Sequence, residues 1–349
     1  MRRVGANAQG RLLLDVEAAH GLTDDAIRGA LLPLIRSNIY RVNRNNKAVE
    51  IDGPDVSHQL IDPDLQVGLA WLGVGSDTRS RLNFREERSH FALSLEDSWC
   101  GEFLARHLAT LQTDEPLTII HLDDHTDMMS TLLVVEAGAD GALALKDPLR
   151  AMPFDASVPA DWRSAIAGGA IGIGSFLTPF FALNRRVELF HLKADQQRVE
   201  TCSVMPTVTG HDLLAGYQFH SLEVTVVHGG ETPERLYCRS SDEQQLLAIV
   251  PHNRRVAVHI DLDYFLNDYN GNAWQVARPD VAAKRKLALD QLDPFFAAVE
   301  QSGFAITCWM IGVSPGFCSA LHWQFLIEQI ERRIADLKRD RWTSRLRSC

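Results

Sequence analysis

Apolar and polar positions follow two periods along this chain, and the changes of period mark out its elements. Residues 24–40 carry Ile27, Leu31, Leu34 and Ile35 at helical spacing and predict an amphipathic helix. Tyr40-Arg41-Val42 and Val49-Glu50-Ile51 flank the polar run Asn43-Arg44-Asn45-Asn46-Lys47 and predict a hairpin. From Phe91 onward, strand and helix signals alternate. A helix over 103–111 feeds the apolar strand Leu117-Thr118-Ile119-Ile120-His121-Leu122. Further strands are predicted at 188–192, 222–227 and 256–260, with a helix over 240–247 before the last. A long amphipathic helix over 280–301, closed by Gly303, leads to a strand at 304–313. A Ser314-Pro315-Gly316 break then precedes a final helix over 319–338. Near-continuous apolar strands alternating with helices indicate an α/β fold with a mostly parallel sheet covered on both faces. The 349 residues suit one large α/β domain or two small ones, and no repeat, low-complexity tract or linker divides them.

Two of the strands end in acids. The first runs into Asp123-Asp124-His125-Thr126-Asp127, and the second, Val256-Ala257-Val258-His259-Ile260, runs into Asp261-Leu262-Asp263. Alternate residues of an extended chain share a face, so Asp123, His125 and Asp127 converge, as do Asp261 and Asp263. Ligands of open α/β sheets bind beyond the carboxyl ends of the strands, where both strings sit. A lone Asp-x-Asp after a strand is usually a turn or a helix cap. Two acid-rich strings in one chain would repel one another unless cations lay between them, which points to a two-metal hydrolase. A carboxylate-rich set with one imidazole is hard and suits Mn²⁺ better than Zn²⁺ or copper.

Composition narrows the class. An apolar fraction of 46% is ordinary for a globular protein with a sizeable core. The formal charge of −10 argues against a general nucleic-acid binder, and divalent ions at the acid strings would offset part of it. The basic run from Lys338 to Arg347 reads as a solvated helix end or as a contact for an acidic partner. Cysteines 100, 202, 238, 308, 318 and 349 form no C-x-x-C pair, and Met1-Arg2-Arg3-Val4 opens no signal peptide. No apolar run reaches the ~18 residues of a membrane span. The expectation is a soluble, cytoplasmic enzyme with reduced thiols and with neither nucleic-acid nor membrane partners.

Asp-x-His-x-Asp followed much later by Asp-x-Asp, both at strand ends, resembles the arginase/agmatinase (ureohydrolase) superfamily. The resemblance implies a three-layer α/β/α, arginase-like fold and a binuclear manganese site. It also implies one domain over 1–349, with 1–90 packed as an N-terminal region on a metal-binding core at 91–340. The family's first ligand is a histidine in a Gly-Gly-Asp-His-Ser segment. Here the matching stretch is Leu95-Glu96-Asp97-Ser98-Trp99-Cys100-Gly101, so Asp97 falls at that position, with Glu96 and His90 as other candidates. Carried over, Asp123 and Asp261 would bridge two Mn²⁺ ions. Asp97 and Asp127 would complete one ion, and His125 and Asp263 the other. The resemblance makes Asp127 the group that accepts a hydrogen bond from the attacking water and passes a proton to the leaving amine. His125 joins that catalytic centre as a ligand.

The departures carry information too. The family's late strand ends in a glutamate that orients the guanidinium, whereas this chain reads Ile311-Gly312-Val313-Ser314-Pro315-Gly316-Phe317. Gly312 offers no carboxylate, so substrate orientation differs from that in free-arginine enzymes. Gly172-Ile173-Gly174-Ser175-Phe176-Leu177-Thr178-Pro179-Phe180, Val187-Glu188-Leu189-Phe190 and Ser314-Pro315-Gly316-Phe317 resemble a divergent branch that includes the peptide arginases. Those enzymes convert arginine residues of ribosomally made precursor peptides to ornithine. The leading expectation is therefore a manganese amidinohydrolase whose partner is an arginine-containing peptide and whose other product is urea. A hydrolase of small guanidino or amidino compounds and a non-catalytic metal- or peptide-binding member are the alternatives, and a homo-oligomer is compatible with each. His121 and His259 read as residues of the core or behind the ligands, and Trp99 as a packing residue. Tyr264, Asp268 and Asn270 read either as the substrate mouth or as ordinary loop.

Overall fold

The computed structural model describes residues 10–137, 143–193, 196–227, 233–272 and 280–347. Six parallel strands form its centre: β1 (Ala92–Ser94), β2 (Leu117–Leu122), β3 (Val187–Leu192), β4 (Arg235–Ser240), β5 (Arg255–Asp261) and β6 (Ala305–Gly312). They lie side by side in the order β1-β6-β5-β2-β3-β4. Every residue of β2 and β3 is buried, as expected of strands covered on both faces.

Alternation along each strand divides its side chains between two cores. Leu117, Ile119, Val187, Leu189 and Ala257 join one, under the helices Asp24–Ile35, Cys100–Leu108 and Pro159–Gly168. Ile120, Leu122, Phe190, Leu192, Val258 and Ile260 join the other. That second core lies under Leu65–Leu72, Glu243–Ala248, Val281–Gln301 and Ala320–Arg347. The parallel part thus has helices on both faces. Each of its strands ends at the same edge, where the acid strings emerge.

The sheet as a whole is larger and more mixed than the sequence suggested. It has 12 strands, because Arg85–Glu87 pairs antiparallel with β1 at one edge, and at the other β4 pairs antiparallel with Glu200–His211 and the sheet continues through Leu214–Val226 to three short strands. The strand predicted at 222–227 is the far half of Leu214–Val226. A separate three-stranded sheet is built from Gly10–Leu13, Ala48–Pro54 and Asn38–Asn43. It contains the predicted hairpin, whose Asn43 faces Ala48. The helix expected over 24–40 stops at Ile35, because Tyr40 is drawn into that hairpin opposite Ile51. Asp280 caps Val281–Gln301 by accepting from the Ala282 and Ala283 amides. The helix ends at Ser302 in extended backbone, so Gly303 is no left-handed cap. A Cβ on Gly303 would instead lie 2.4 Å from His252 Nδ1, which makes this a close-approach glycine. Cys100, Cys202, Cys238, Cys308 and Cys318 are free thiols. No helix among the described residues is long and apolar enough to cross a membrane.

Candidate metal centre

Strand order brings the two acid strings together. β2 and β5 are neighbours with Leu122 opposite Ile260, so Asp123 and Asp261 leave the sheet side by side. β6 runs along the other side of β5 and sets Gly312 opposite Asp261. β1 follows β6, and the chain turns after it through Asp97–Trp99, which carries Asp97 over the end of β6. Three groups of donor atoms result, each spanning no more than 4.8 Å: Asp97, Asp123 and Asp261; Asp123, His125 and Asp263; and His121, Asp123, Asp127 and His259. Asp123 belongs to all three. All six residues expected to hold metal are brought to this one place.

Local hydrogen bonds set the carboxylates. The His125 amide donates to Asp123 Oδ1 at 2.6 Å, and the Asp263 amide to Asp261 Oδ1 at 3.0 Å. These are Asx turns, in which the side chain that caps the strand end is fixed by the backbone it starts. The Ser314 hydroxyl donates to Asp261 Oδ2. His125 Nδ1 lies 3.0 Å from Asp263 Oδ2 and 3.5 Å from Asp123 Oδ1, while its Nε2 faces Asn270 Oδ1 at 3.4 Å. Nδ1 donates to Asp263, a hydrogen bond that pushes His125 up to about 10, so service as a metal ligand requires Nδ1 to exchange that proton for the ion while Nε2–H stays on Asn270. Asp127, Asn270 and Ser314 hold left-handed backbone at φ 50°, 48° and 50°. For non-glycine residues that conformation carries strain, and strain of this kind collects at functional sites.

Burial makes the charge problem acute. Asp97, Asp123, Asp127, Asp261 and Asp263 are all at most 5% exposed. Burial, then the charges of Glu96 and Asp263, pushes Asp97 up to about 7. Asp123 and Asp261 are driven well above the carboxylate range by burial and then by Asp263. Asp127 is raised likewise by burial and then by Asp123. Asp97 Oδ1, Asp123 Oδ2 and Asp127 Oδ2 are buried without any hydrogen-bond partner. Orphaned anionic oxygens this close together are costly unless positive charge sits among them. The donor set, mostly carboxylate with imidazole, therefore fits hard divalent cations.

This electrostatic strain has a measurable pH signature. The folded state holds the Asp97 proton more tightly than the unfolded chain, with the pKa raised from 3.8 to about 7. That contribution to stability is complete below 3.8 and is lost as pH rises through about 7. A divalent ion bound to these carboxylates would replace the proton, so its stabilising effect would grow over the same interval. The rise in thermal midpoint on adding Mn²⁺ is expected to increase with pH across this window. A Mn²⁺-induced shift that is constant over that range would contradict it.

Asp97, Asp127, Asp261 and Asp263 line a cavity of about 650 Å³, with Asp123 fully buried behind it. Asp124, Asn270 and Phe317 line its sides, as do Ile173, Gly174, Ser314 and Pro315 from the two softer motifs. The opposite wall is one the sequence did not disclose. Arg36, Ser37, Asp55, Ser57 and His58, all from the N-terminal region, close over the acid strings. Of the three residues expected either at the mouth or in ordinary loop, Asn270 alone lines the cavity. Tyr264 is buried beside Phe265, and Asp268 is tied to Lys284 and the Ser319 amide. Trp99 packs, donating to the Leu82 carbonyl at 2.7 Å with Arg85 over its ring.

The alternatives for the first ligand separate clearly. Glu96 lines the same cavity but is held by Gln59 and His58 and belongs to none of the donor groups, and His90 meets Lys338 at 3.4 Å. Asp97 is the residue of the three that faces Asp123 and Asp261. Gly312 is explained by the same geometry: a Cβ there would stand 3.2 Å from Asp97 Cβ and 3.4 Å from His259 Nε2. Were two ions held among these donors, Asp97→Ala would lose one, whereas Asp97→His and Glu96→Ala would keep both. Metal analysis of the three variants checks this, and full metal content in Asp97→Ala with loss in Glu96→Ala would move the ligand by one residue. In comparisons with known proteins, the sequence matches no protein-family model and no curated protein.

Proposed function

We propose that this protein is a binuclear manganese hydrolase that converts arginine residues of a peptide to ornithine and releases urea. The observation that carries the reading is the convergence of Asp97, His125, Asp127, Asp261 and Asp263 on one open cavity, with Asp123 fully buried among them and orphaned oxygens on Asp97, Asp123 and Asp127. The two acid strings and their strand-end placement support the arginase-like reading of the fold. Mn²⁺ ions bound among these donors would supply Lewis acidity and a water of lowered pKa. Such help is needed because resonance makes a guanidinium carbon a poor electrophile.

The remaining work falls to the chain. Asp123 and Asp261, fixed by their own strand-end turns, hold the centre together from adjacent strands. Asp127, buried beside Asp123, takes a proton from the attacking water as the new C–O bond forms. It returns that proton to the side-chain nitrogen as the C–N bond breaks. The proton left on the urea oxygen passes to the released amine, so neutral urea leaves and the ornithine side chain carries the positive charge of the guanidinium as an ammonium. Asp55 and Asp124 on the walls offer carboxylates to the guanidinium, the part Gly312 cannot play. A cavity of about 650 Å³ is within the range of ligand sites and leaves room for chain on either side of the arginine. Incubating the Mn²⁺-loaded protein with arginine, agmatine and arginine-containing peptides, and assaying urea, tests the proposal. Urea from a peptide supports it, and urea from agmatine or arginine alone would favour the small-molecule reading.

A further inference from the structure

Three imidazoles lie in a row beneath the candidate metal centre. His191, His121 and His259 occupy matching positions on β3, β2 and β5, each fully buried. Their rings are 4.6 Å and 5.0 Å apart between centroids. The two-residue period of a strand sets His121 directly below Asp123 and His259 below Asp261. A buried row of this kind is ordinarily a hydrogen-bonded scaffold, and for two of the three that description is complete.

His191 has both nitrogens engaged. Its Nε2 faces the Asp123 carbonyl at 3.0 Å and its Nδ1 the Tyr237 hydroxyl at 2.8 Å. A carbonyl only accepts, so Nε2 carries the hydrogen and Nδ1 accepts from the tyrosine. His121 is engaged at both nitrogens as well, by the His125 carbonyl at 3.3 Å from Nε2 and by His259 Nδ1 at 2.8 Å from Nδ1. The same rule gives His121 an Nε2–H and an Nδ1 lone pair. His259 must then donate from Nδ1, which leaves its Nε2 with a lone pair and no hydrogen. That nitrogen is buried and has no partner. His259 belongs with His121 to the donor group of Asp123 and Asp127, and a Cβ built on Gly312 would stand 3.4 Å from this nitrogen and 3.2 Å from Asp97 Cβ.

We infer that His259 Nε2 is the nitrogen ligand of the ion that Asp97 and Asp127 complete, so that a histidine from β5 stands in for the one missing from the Asp97 segment. The assignment rests on the two-ion reading above and extends it by one ligand. It makes the imidazole row a device that fixes a tautomer: the His125 carbonyl orients His121, His121 orients His259, and the lone pair is delivered upward to the ion. Gly312 is then needed twice, to admit Asp97 and to leave His259 Nε2 open.

Pulsed EPR of the Mn²⁺-loaded wild-type protein, prepared with and without ¹⁵N-histidine, reads the ligands without any substitution. Imidazole nitrogens of two histidines, those of His125 and His259, are expected at the ions, and nitrogen from one histidine alone would overturn the assignment. His259→Gln is expected to weaken the binding of one ion by at least about a hundredfold, beyond the usual effect of a residue that merely supports a ligand. It should also remove one histidine from the EPR signal. Two ions held by His259→Gln at wild-type affinity would reject the assignment while leaving the two-ion centre and its activity standing. Two ions held by the wild type, with two histidines in the signal but no urea from any guanidine, would keep the assignment and reject the activity. Fewer than two ions in the saturated wild type would overturn both.

Discussion

Replacing Asp123 by Ala is expected to abolish turnover and to leave the protein unable to hold its second ion. Asp123 belongs to every donor group of the centre and leaves β2 beside Asp261, so both ions lose a ligand with it. Its removal also leaves Asp97, Asp127, Asp261 and Asp263 buried with less cationic charge between them, which is more costly than losing a pair outright. Losing the several kcal/mol that metal activation supplies corresponds to a rate loss on the order of a thousandfold or more. Asp261→Ala should behave alike. Elemental analysis showing two ions still bound to either variant would remove the bridging role from that residue.

Arginine inside a peptide should be turned over far better than free arginine. Gly312 cannot supply a carboxylate near the guanidinium, and a Cβ there would crowd Asp97 at 3.2 Å. Orientation must therefore draw on contacts further from the reacting carbon, and binding energy from remote parts of a substrate can be used in that way. The wall formed by Arg36, Asp55, Ser57 and His58 presents polar groups of both signs where flanking peptide would lie. A kcat/KM advantage of about tenfold needs only about 1.4 kcal/mol of such contacts, so at least that much is expected. A kcat/KM for free arginine equal to or above that of every peptide tested would reject peptide specificity and leave a small-molecule hydrolase.

Much of this centre can be read in the chain because it is local. Period-two alternation grouped Asp123, His125 and Asp127. The structure brings them together by another route, since β2 ends at Leu122 and an Asx turn at Asp123 and left-handed backbone at Asp127 gather them. The same period put His121 below Asp123 and His259 below Asp261, but nothing local says that β2 and β5 are adjacent, so the tautomer chain between them was hidden. The N-terminal wall was hidden for a related reason. Arg36, Asp55 and His58 reach the site by packing across long sequence separations, which leaves no periodic trace. The antiparallel extension was missed in part because Glu200–His211 and Leu214–Val226 bear mixed, half-exposed side chains instead of the apolar runs that mark the central strands.

The central claim is that five buried carboxylates and His125 form a two-ion centre, and elemental analysis after saturation with Mn²⁺ and removal of free metal tests it most directly. Two manganese ions per chain are expected, together with a higher thermal midpoint than that of the chelator-treated protein. Less than one divalent ion per chain, with a thermal midpoint that Mn²⁺ does not move, would contradict it.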